Sequence, residues 1–354
     1  MATVIRPMEP GDTAELCQLR LALLPQRAGR AREDTQALFD WLYFSPHLSQ
    51  DAPRAFVAVD GSSIIGHIGF TMSEWRLGHD RVNVVQPVNW VLDPTYRGLL
   101  GLSLIMKVLS GAGVAVTVGG TPIAQRMLPK LGFAERLDVG SYVKVLAPLR
   151  FLGTSRTGHQ LAKNSAKVAH KLGTDLCRSF RRLGNGARRC QLVEVDDPST
   201  RASDAKLPGT SQAPAVLRNS LAPQFLKWYQ ACPVGQVRVL QCLVQGQMIG
   251  TAVVMLRTTG GTGHASLLTL DTVIDDETVW VDLVEAIEEF AREQGAAYIN
   301  ALATYTPLRR ALKHRGYRLL EPMPLWLRDR SHALADVGAW HITAIEGDNG
   351  YLLN

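Results

Sequence analysis

Val88-Asn89-Trp90-Val91-Leu92-Asp93-Pro94-Thr95-Tyr96-Arg97-Gly98-Leu99-Leu100-Gly101-Leu102-Ser103-Leu104-Ile105-Met106-Lys107-Val108 is the stretch whose reading decides the fold. Its β-branched start reads as a strand, Asp93-Pro94 and Arg97-Gly98 as a tight turn, and Leu102–Leu109 as a helix apolar almost all round. A helix that begins at such a turn presents backbone N–H groups without intrahelical partners and the positive end of its dipole, a combination that suits a phosphate. Gly98 and Gly101 allow a close approach to the backbone. Arg97 adds a positive charge, and no Asp or Glu follows it until Glu135.

Working outward, Arg54–Asp60 and Ile64–Met72 read as strands joined by Gly61-Ser62-Ser63, a hairpin signal. Gly113–Gly119 reads as a buried strand, and Thr121–Phe133 as a short helix closed by Gly132. Residues 12–24 read as a helix with Asp12 and Glu15 spaced as a capping box, and 33–44 as an apolar-aromatic helix. Pro94-Thr95-Tyr96-Arg97-Gly98, followed by small residues, resembles the acetyl-CoA pyrophosphate loop of the GNAT superfamily of N-acetyltransferases, whose pattern is Arg/Gln-x-x-Gly-x-Gly/Ala. With one residue inserted, Gly101 and Ser103 occupy the small-residue positions. The Leu131-Gly132-Phe133 ending and the order of elements over 1–148 match the superfamily as well.

The resemblance implies an acyl-CoA site formed by Arg97, Gly98, Leu99, Leu100, Gly101, Leu102 and Ser103, with pantetheine paired to the backbone of Val91 and Leu92 where two strands splay apart. Thr121 stands where the superfamily often has an Asn contacting the cofactor; as a residue it reads equally as a helix N-cap. N-acyl transfer in this superfamily is direct, with a base for the amine proton and often a Tyr for the leaving thiolate. The position eleven before Arg97, where some members carry the Glu base, is Gln86, and the position of the Tyr is Leu128. Neither side chain does that chemistry. The remaining candidates are His67 and Glu74 on the third strand, Asn89 beside the expected oxyanion region, and Tyr142. Phe39, Trp41, Tyr43 and Phe44 read either as core or as the border of an acceptor groove with apolar or sugar-ring character.

The sequence also repeats itself. Val59-Asp60-Gly61-Ser62-Ser63-Ile64-Ile65-Gly66 parallels Val244-Gln245-Gly246-Gln247-Met248-Ile249-Gly250, and Thr121-Pro122-Ile123 with Leu131-Gly132-Phe133 parallels Thr306-Pro307-Leu308 with Arg315-Gly316-Tyr317, both at offsets of 185 and 184. The expected architecture is therefore α+β, two tandem GNAT-like folds, each a mostly antiparallel twisted sheet flanked by helices. The first spans 1–148 and carries the acyl-CoA site. A basic helical linker spans 149–189, and the second fold spans 190–354. The second copy lacks the glycines and gathers Asp271, Asp275, Asp276, Glu277 and Asp282 around the start of its helix. Such acids suit a helix N-terminus but repel a pyrophosphate.

The chain has 354 residues, 46% of them apolar and 20% charged, with a net charge of +6. This is ordinary globular composition at the length of two domains. Ten Lys and Arg against the single Asp175 fall between Arg150 and Arg189. Within that segment Leu161, Val168, Leu172, Leu176 and Phe180 form one apolar face over 159–183, so it reads either as an interdomain helix with a solvated basic face or as a helix lying on an anionic membrane surface. No nucleic-acid motif is present. The five cysteines are scattered and odd in number, which suggests buried thiols rather than zinc or disulfides, and no metal site is expected. With no leader and no apolar stretch of ~20 residues, the expectation is a cytoplasmic protein. The expected function is an acyl-CoA-dependent acyltransferase, in the first instance N-acetyl transfer from acetyl-CoA to an amine of a small molecule or an amino sugar. The alternative is a degenerate CoA-binding or regulatory module.

Overall fold

Ser63–Leu77 and Asp80–Leu92 form the longest hairpin among the described residues. The structure, a computed structural model, describes residues 3–23, 32–47, 52–96, 98–148, 190–198, 216–259, 261–272, 274–335 and 337–352. Arg97 and the basic segment 149–189 lie outside the described residues. The strands in chain order are β1 Val4–Pro7, β2 Ala55–Asp60, β3 Ser63–Leu77, β4 Asp80–Leu92, β5 Val114–Val118, β6 Ala134–Val145, β7 Cys190–Glu194, β8 Val216–Asn219, β9 Gln236–Val244, β10 Gln247–Thr259, β11 Thr262–Thr272, β12 Tyr298–Ala303, β13 Arg318–Leu319, β14 Met323–Asp329 and β15 Ala339–His341. The helices are α1 Thr13–Leu23, α2 Arg32–Phe44, α3 Leu99–Leu109, α4 Pro122–Met127, α5 Pro223–Gln230, α6 Glu277–Glu293, α7 Thr306–His314 and α8 Asn349–Leu352.

Two compact units emerge. The first comprises residues 1–139, 197–236 and 322–354; the second comprises 140–196 and 237–321. In the first unit β1, β2, β3 and β4 pair antiparallel in sequence order, β4 pairs β5 in parallel, and β14 lies antiparallel between β5 and the start of β6. In the second unit β7, β9, β10 and β11 are followed by β12, parallel to β11, and then by the end of β6, antiparallel to β12. Each unit is thus a mostly antiparallel mixed sheet with flanking helices. Each also has a parallel pair bridged by a crossover helix, α3 in the first and α6 in the second, as parallel pairing of consecutive strands requires; the first unit has a further parallel pair, β8 with β15.

Alternation along β3 sorts the helices to opposite faces, because successive side chains of a strand point to opposite sides. His67 meets Phe39 and Tyr43 of α2. Ile68, one residue on, belongs to the cluster formed with Leu104, Ile105 and Leu109 of α3. The turns obey local chemistry: Gly132 and Gly316, paired by the sequence repeat, close their helices with φ of 82° and 83°, a left-handed conformation that glycine adopts without penalty. The capping box is one step upstream of the expected position. Asp12 Oδ2 accepts from the Glu9 N–H at 2.8 Å and pairs with Arg6, while Glu15 Oε1 accepts from the Ile64 N–H at 2.7 Å. Asp12 is thereby committed to the preceding 3-10 turn, and Glu15 ties α1 to the start of β3. Cys17, Cys190, Cys232 and Cys242 are buried and in no disulfide.

The second unit is organised around a buried carboxylate. Glu288 of α6 is fully buried and is bonded by Lys144 at 2.8 Å, by Arg315 at 2.8 Å and by Arg292 at 3.4 Å. Removing the central charge takes their shared partner from Lys144, Arg292 and Arg315, the last keeping Glu285 at 2.7 Å, and breaking a buried pair from one side costs about 3–5 kcal/mol. Glu288→Gln is expected to lower the unfolding free energy by about 3 kcal/mol in denaturant titration, whereas Arg238→Gln, whose pair with Glu194 at 2.8 Å is largely exposed, should change it by well under about 1 kcal/mol.

Candidate functional site

β4 and β5 are paired at only two positions, Val84 with Val114 and Val85 with Ala115. Past that point β5 gives its other edge to β14, from Val114 opposite Asp329 to Val118 opposite Leu325. β4 continues seven residues further, to Leu92, with no strand on its β5 edge. Buried backbone N–H and C=O groups require partners, so the open side of this wedge is built to receive one.

The divergence coincides with an irregularity in β4. Across the hairpin His67 is opposite Val91 but Gly69 is opposite Val88, so β4 carries one extra residue. Asn89 sits there with φ of 54°, in the left-handed region that Asn tolerates better than most side chains. Such a bulge rotates the strand and increases its local twist. It also changes which side chains face each other. In a regular strand Gln86 and Asn89, three apart, would point to opposite faces; with the extra residue both point to the α2 side.

Four side chains hold the bulge. His67 Nδ1 bonds the Asn89 carbonyl at 3.0 Å; a carbonyl only accepts, so Nδ1 carries the proton and Nε2 the lone pair. Asn89 Oδ1 accepts from Arg20, and Asn89 Nδ2 donates to the Tyr43 hydroxyl at 3.2 Å. Tyr43 in turn lies directly over Gly69, where any Cβ would collide with its ring. Burial lowers the His67 pKa to about 3, with the bond to Asn89 opposing it and Arg20 adding to it. Burial raises that of Tyr43. His67 is therefore neutral and structural in this setting, a poor proton acceptor at neutral pH.

Of the residues singled out from sequence, Gln86, Asn89 and His67 are brought to one face of the wedge. Glu74 is not: the register places it opposite Asn83, near the far end of the hairpin, where it pairs with Arg81 at 2.7 Å. Tyr142 belongs to the core of the second unit, its hydroxyl accepting from Arg309 at 3.1 Å. Phe39, Trp41 and Tyr43 are buried, and Trp41 stacks on Trp228 with centroids 4.4 Å apart. These aromatics of α2 serve packing, and Phe44 is half-buried beside them. Leu128 is buried in the α3 cluster.

The turn after β4 leads into a helix N-terminus that no side chain caps. Gly98 is the N-cap of α3 with φ of 115°, and the space where a side chain would stand is open. Leu99 is 81% exposed, and Leu100 and Leu102 are partly buried. Gly101 serves packing instead. It is buried, and a Cβ there would lie 3.4 Å from Leu92, so it sets the close approach of α3 to the end of β4. The Ser103 hydroxyl bonds the Leu99 carbonyl at 2.9 Å. Thr121 is the N-cap of α4, accepting from the Ala124 N–H at 3.3 Å. Val91 and Leu92 lie on the unpaired edge of β4.

Sequence reasoning missed what faces Gln86. The segment 346–349 lies against β4 and β5: the Gly347 N–H donates to Gln86 Oε1 at 3.0 Å, and the same oxygen accepts from Thr71 at 3.1 Å. Glu346 is 2% exposed. Its Oε2 accepts from the Thr343 N–H at 2.7 Å and from the Thr343 hydroxyl at 3.1 Å. The only local signal is the turn-like Glu346-Gly347-Asp348-Asn349-Gly350 after an apolar run, which says nothing of its destination. Among the described residues, no group of three His, Cys, Asp or Glu side chains could hold a metal ion, and no helix is long and apolar enough to cross a membrane.

No protein-family profile matches the sequence, and no curated protein does. The fold does match solved structures. A GCN5-related N-acetyltransferase from Kribbella flavida aligns with a TM-score of 0.54 at 15% identity, covering 94% of this chain and 73% of the other. N-myristoyltransferase of Saccharomyces cerevisiae with bound myristoyl-CoA aligns at 0.56 and 11% identity, covering 92% and 82%. A tandem GNAT protein from the clavulanic acid biosynthesis pathway aligns at 0.53 and 11% identity, covering 93% of this chain and 99% of that one. The chain has the GNAT fold in a tandem architecture.

Buried His67 takes up a proton only on unfolding, so the unfolded chain binds more protons between about pH 3 and its ordinary value of 6.5. Its contribution to stability is complete above 6.5 and is lost as pH falls toward 3. His67→Asn, which keeps a donor for the Asn89 carbonyl, is expected to flatten the fall of unfolding free energy below pH 6.5 by up to ~1.4 kcal/mol per pH unit, read by urea titrations at pH 4.5, 5.5 and 6.5.

Proposed function

We propose that the protein is an acyl-CoA-dependent acyltransferase that uses the wedge of the first unit, and that the reaction is acetyl transfer from acetyl-CoA to a primary amine of a small molecule or an amino sugar. The observation that carries this reading is the unpaired edge of β4 running into a glycine-capped helix N-terminus. An extended pantetheine arm satisfies a free strand edge as an added strand does, and a pyrophosphate is stabilised by the N–H groups and dipole at the start of α3. The residues present fit such a substrate: backbone of Val91 and Leu92 for the arm, and Gly98 through Ser103 for the pyrophosphate, with the sequence supplying the positive charge of Arg97 next to Gly98. Two of the similar structures are described in terms of acyl-CoA, one with bound myristoyl-CoA and one without AcCoA.

The second unit is proposed to bind no CoA. Its crossover helix α6 is capped by Asp276, whose carboxylate accepts from the Thr278 N–H at 2.7 Å, and Glu277 follows in the first turn. A pyrophosphate placed there would meet unit negative charges at ~5 Å, each costing on the order of 3 kcal/mol at an effective dielectric of ~20. We read the two sequence copies, 1–148 and 190–354, as a duplication in which the first kept the site, joined by the basic linker 149–189. The absence of a carboxylate at position 86 and of a hydroxyl at position 128 favours a second reading, a CoA-binding or regulatory module without turnover.

Calorimetry on the full chain separates these possibilities. One CoA per chain is expected, with affinity reduced at least tenfold by Arg97→Glu and by Gly98→Val, which strains a φ of 115°, and unchanged within twofold by Asp276→Asn. No binding by the unaltered protein would refute the reading. Thiol release from acetyl-CoA with a panel of amino sugars, amino acids and polyamines then decides between enzyme and module.

A further inference from the structure

Where β4 and β5 part, Gln86 and Pro87, residues 116–118 and residues 346–349 enclose a space that water centres can occupy over about 10 Å³. That is the size of a single water site. Two polar atoms of its lining residues are buried and without hydrogen-bond partners: Gln86 Nε2 and Glu346 Oε1. The amide orientation of Gln86 is fixed, since the Gly347 N–H needs an acceptor and finds Oε1 at 3.0 Å; Nε2 is left as the donor. An unpartnered donor and an unpartnered acceptor on two residues that line one water-sized space form a pattern that a bridging water satisfies at both ends.

We propose that Glu346 is the proton acceptor of the acyl transfer, reached directly or through one water held by Gln86 Nε2, and that the segment 343–349 exists in this position to deliver it. The inference rests on the acyltransferase reading above. It supplies the group which β4 lacks, at the place where β4 offers only an amide. As the amine nitrogen forms its bond to the acyl carbon and the carbon–sulfur bond breaks, the proton lost from nitrogen passes to Glu346 Oε1. Its final destination is the CoA thiolate, so the carboxylate is restored and the net change is acyl-CoA plus amine to amide plus CoA thiol. No further reactant is needed.

The geometry supports this role in three ways. Oε2 is anchored by two bonds from Thr343 at 2.7 and 3.1 Å, while Oε1 has no hydrogen-bond partner among the described residues. The turn that presents Glu346 is itself held: the Asn349 side chain donates to the Glu346 carbonyl at 3.2 Å, and Gly347 turns with φ of 65°. Burial raises the Glu346 pKa to about 8, against the Thr343 bonds that lower it. Below about pH 8 the group is held protonated; once ionised above it, the carboxylate is a stronger base than an ordinary one. The other titratable side chain lining the space is Asp348 of the same segment; β4 contributes Gln86 and Pro87 there, and β5 contributes Val116, Thr117 and Val118.

The test uses the full chain, acetyl-CoA and whichever amine of the panel gives thiol release. Glu346→Gln is expected to lower kcat at least 100-fold while calorimetric CoA affinity stays within twofold. The inflection near pH 8 in the wild-type kcat profile should disappear with it. Gln86→Glu in the Glu346→Gln background returns a carboxylate across the same space, and a recovery of tenfold or more supports the assignment independently of any packing effect of the first substitution. Glu346→Gln that keeps kcat within threefold of wild type, with the inflection intact, overturns this inference and leaves the acyltransferase reading standing. Wild-type protein that releases no thiol with any amine overturns both.

Discussion

The extra residue at Asn89 is the constraint on which the rest of the first unit depends. A strand that kept its register would turn the side chains beyond Val88 to the other face of the sheet. It would thus send Gln86 and Asn89 to opposite faces. The bulge prevents this, and it is costly in isolation: a non-glycine residue at φ of 54° and a buried carbonyl turned out of the ladder must be stabilised by something else. His67, Arg20 and Tyr43 do this, with hydrogen bonds inside a region of low dielectric where each is worth more than at the surface. Tyr43 reaches Asn89 only because position 69 is glycine. Thus the irregularity, the cluster around it and the glycine opposite it form one device.

Much of this is legible in the sequence, and the reason is locality. The strand, turn and helix of Val88–Val108, the hairpin at Gly61, the left-handed closures at Gly132 and Gly316, and the internal repeat all depend on residues close in the chain or on direct comparison of segments. The capping box at the start of α1 is displaced upstream because Arg6, six residues away, competes successfully for Asp12. Thr121 and the aromatics of α2 are ambiguous as residue types, and only packing resolves them. Trp41 could border a groove in sequence; in the structure it lies flat against Trp228, 187 residues further on.

What is not legible is long-range. Nothing local in Met323–Asp329 says that it enters the first unit between β5 and β6, although its pairing with β5 is what occupies the edge that β4 abandons. Positive φ at Asn89 has the same character, since Asn only permits that conformation and the register of β3 demands it. Glu346 lies 260 residues from Gln86 in sequence. The residues on or near β4 therefore offer, as candidate bases, only an amide, a surface glutamate tied to Arg81 and a histidine locked by a carbonyl. A carboxylate delivered by another part of the chain carries no motif.

The second unit also has a register shift in its corresponding hairpin, Val253 opposite Thr269 but Val254 opposite Leu267, so β11 carries an extra residue, though none of positive φ. Its parallel pair, β11 with β12, is registered at four positions from His264 opposite Tyr298 to Leu267 opposite Ala301, against two in the first unit. Its crossover helix begins at Asp276, whose own carboxylate already satisfies the Thr278 N–H and complements the helix dipole. A helix end that is capped from within has little left to offer an external anion, and a longer parallel ladder leaves less open edge. By contrast, the first unit's α3 starts at Gly98, which has no side chain with which to cap it and makes no side-chain cap bond. The two helices occupy corresponding positions in the repeat, so the difference between them is one of local capping chemistry rather than of fold: the hydrogen bond that Asp276 gives its helix from within must come at Gly98 from outside the chain's own side chains, from water or from a ligand.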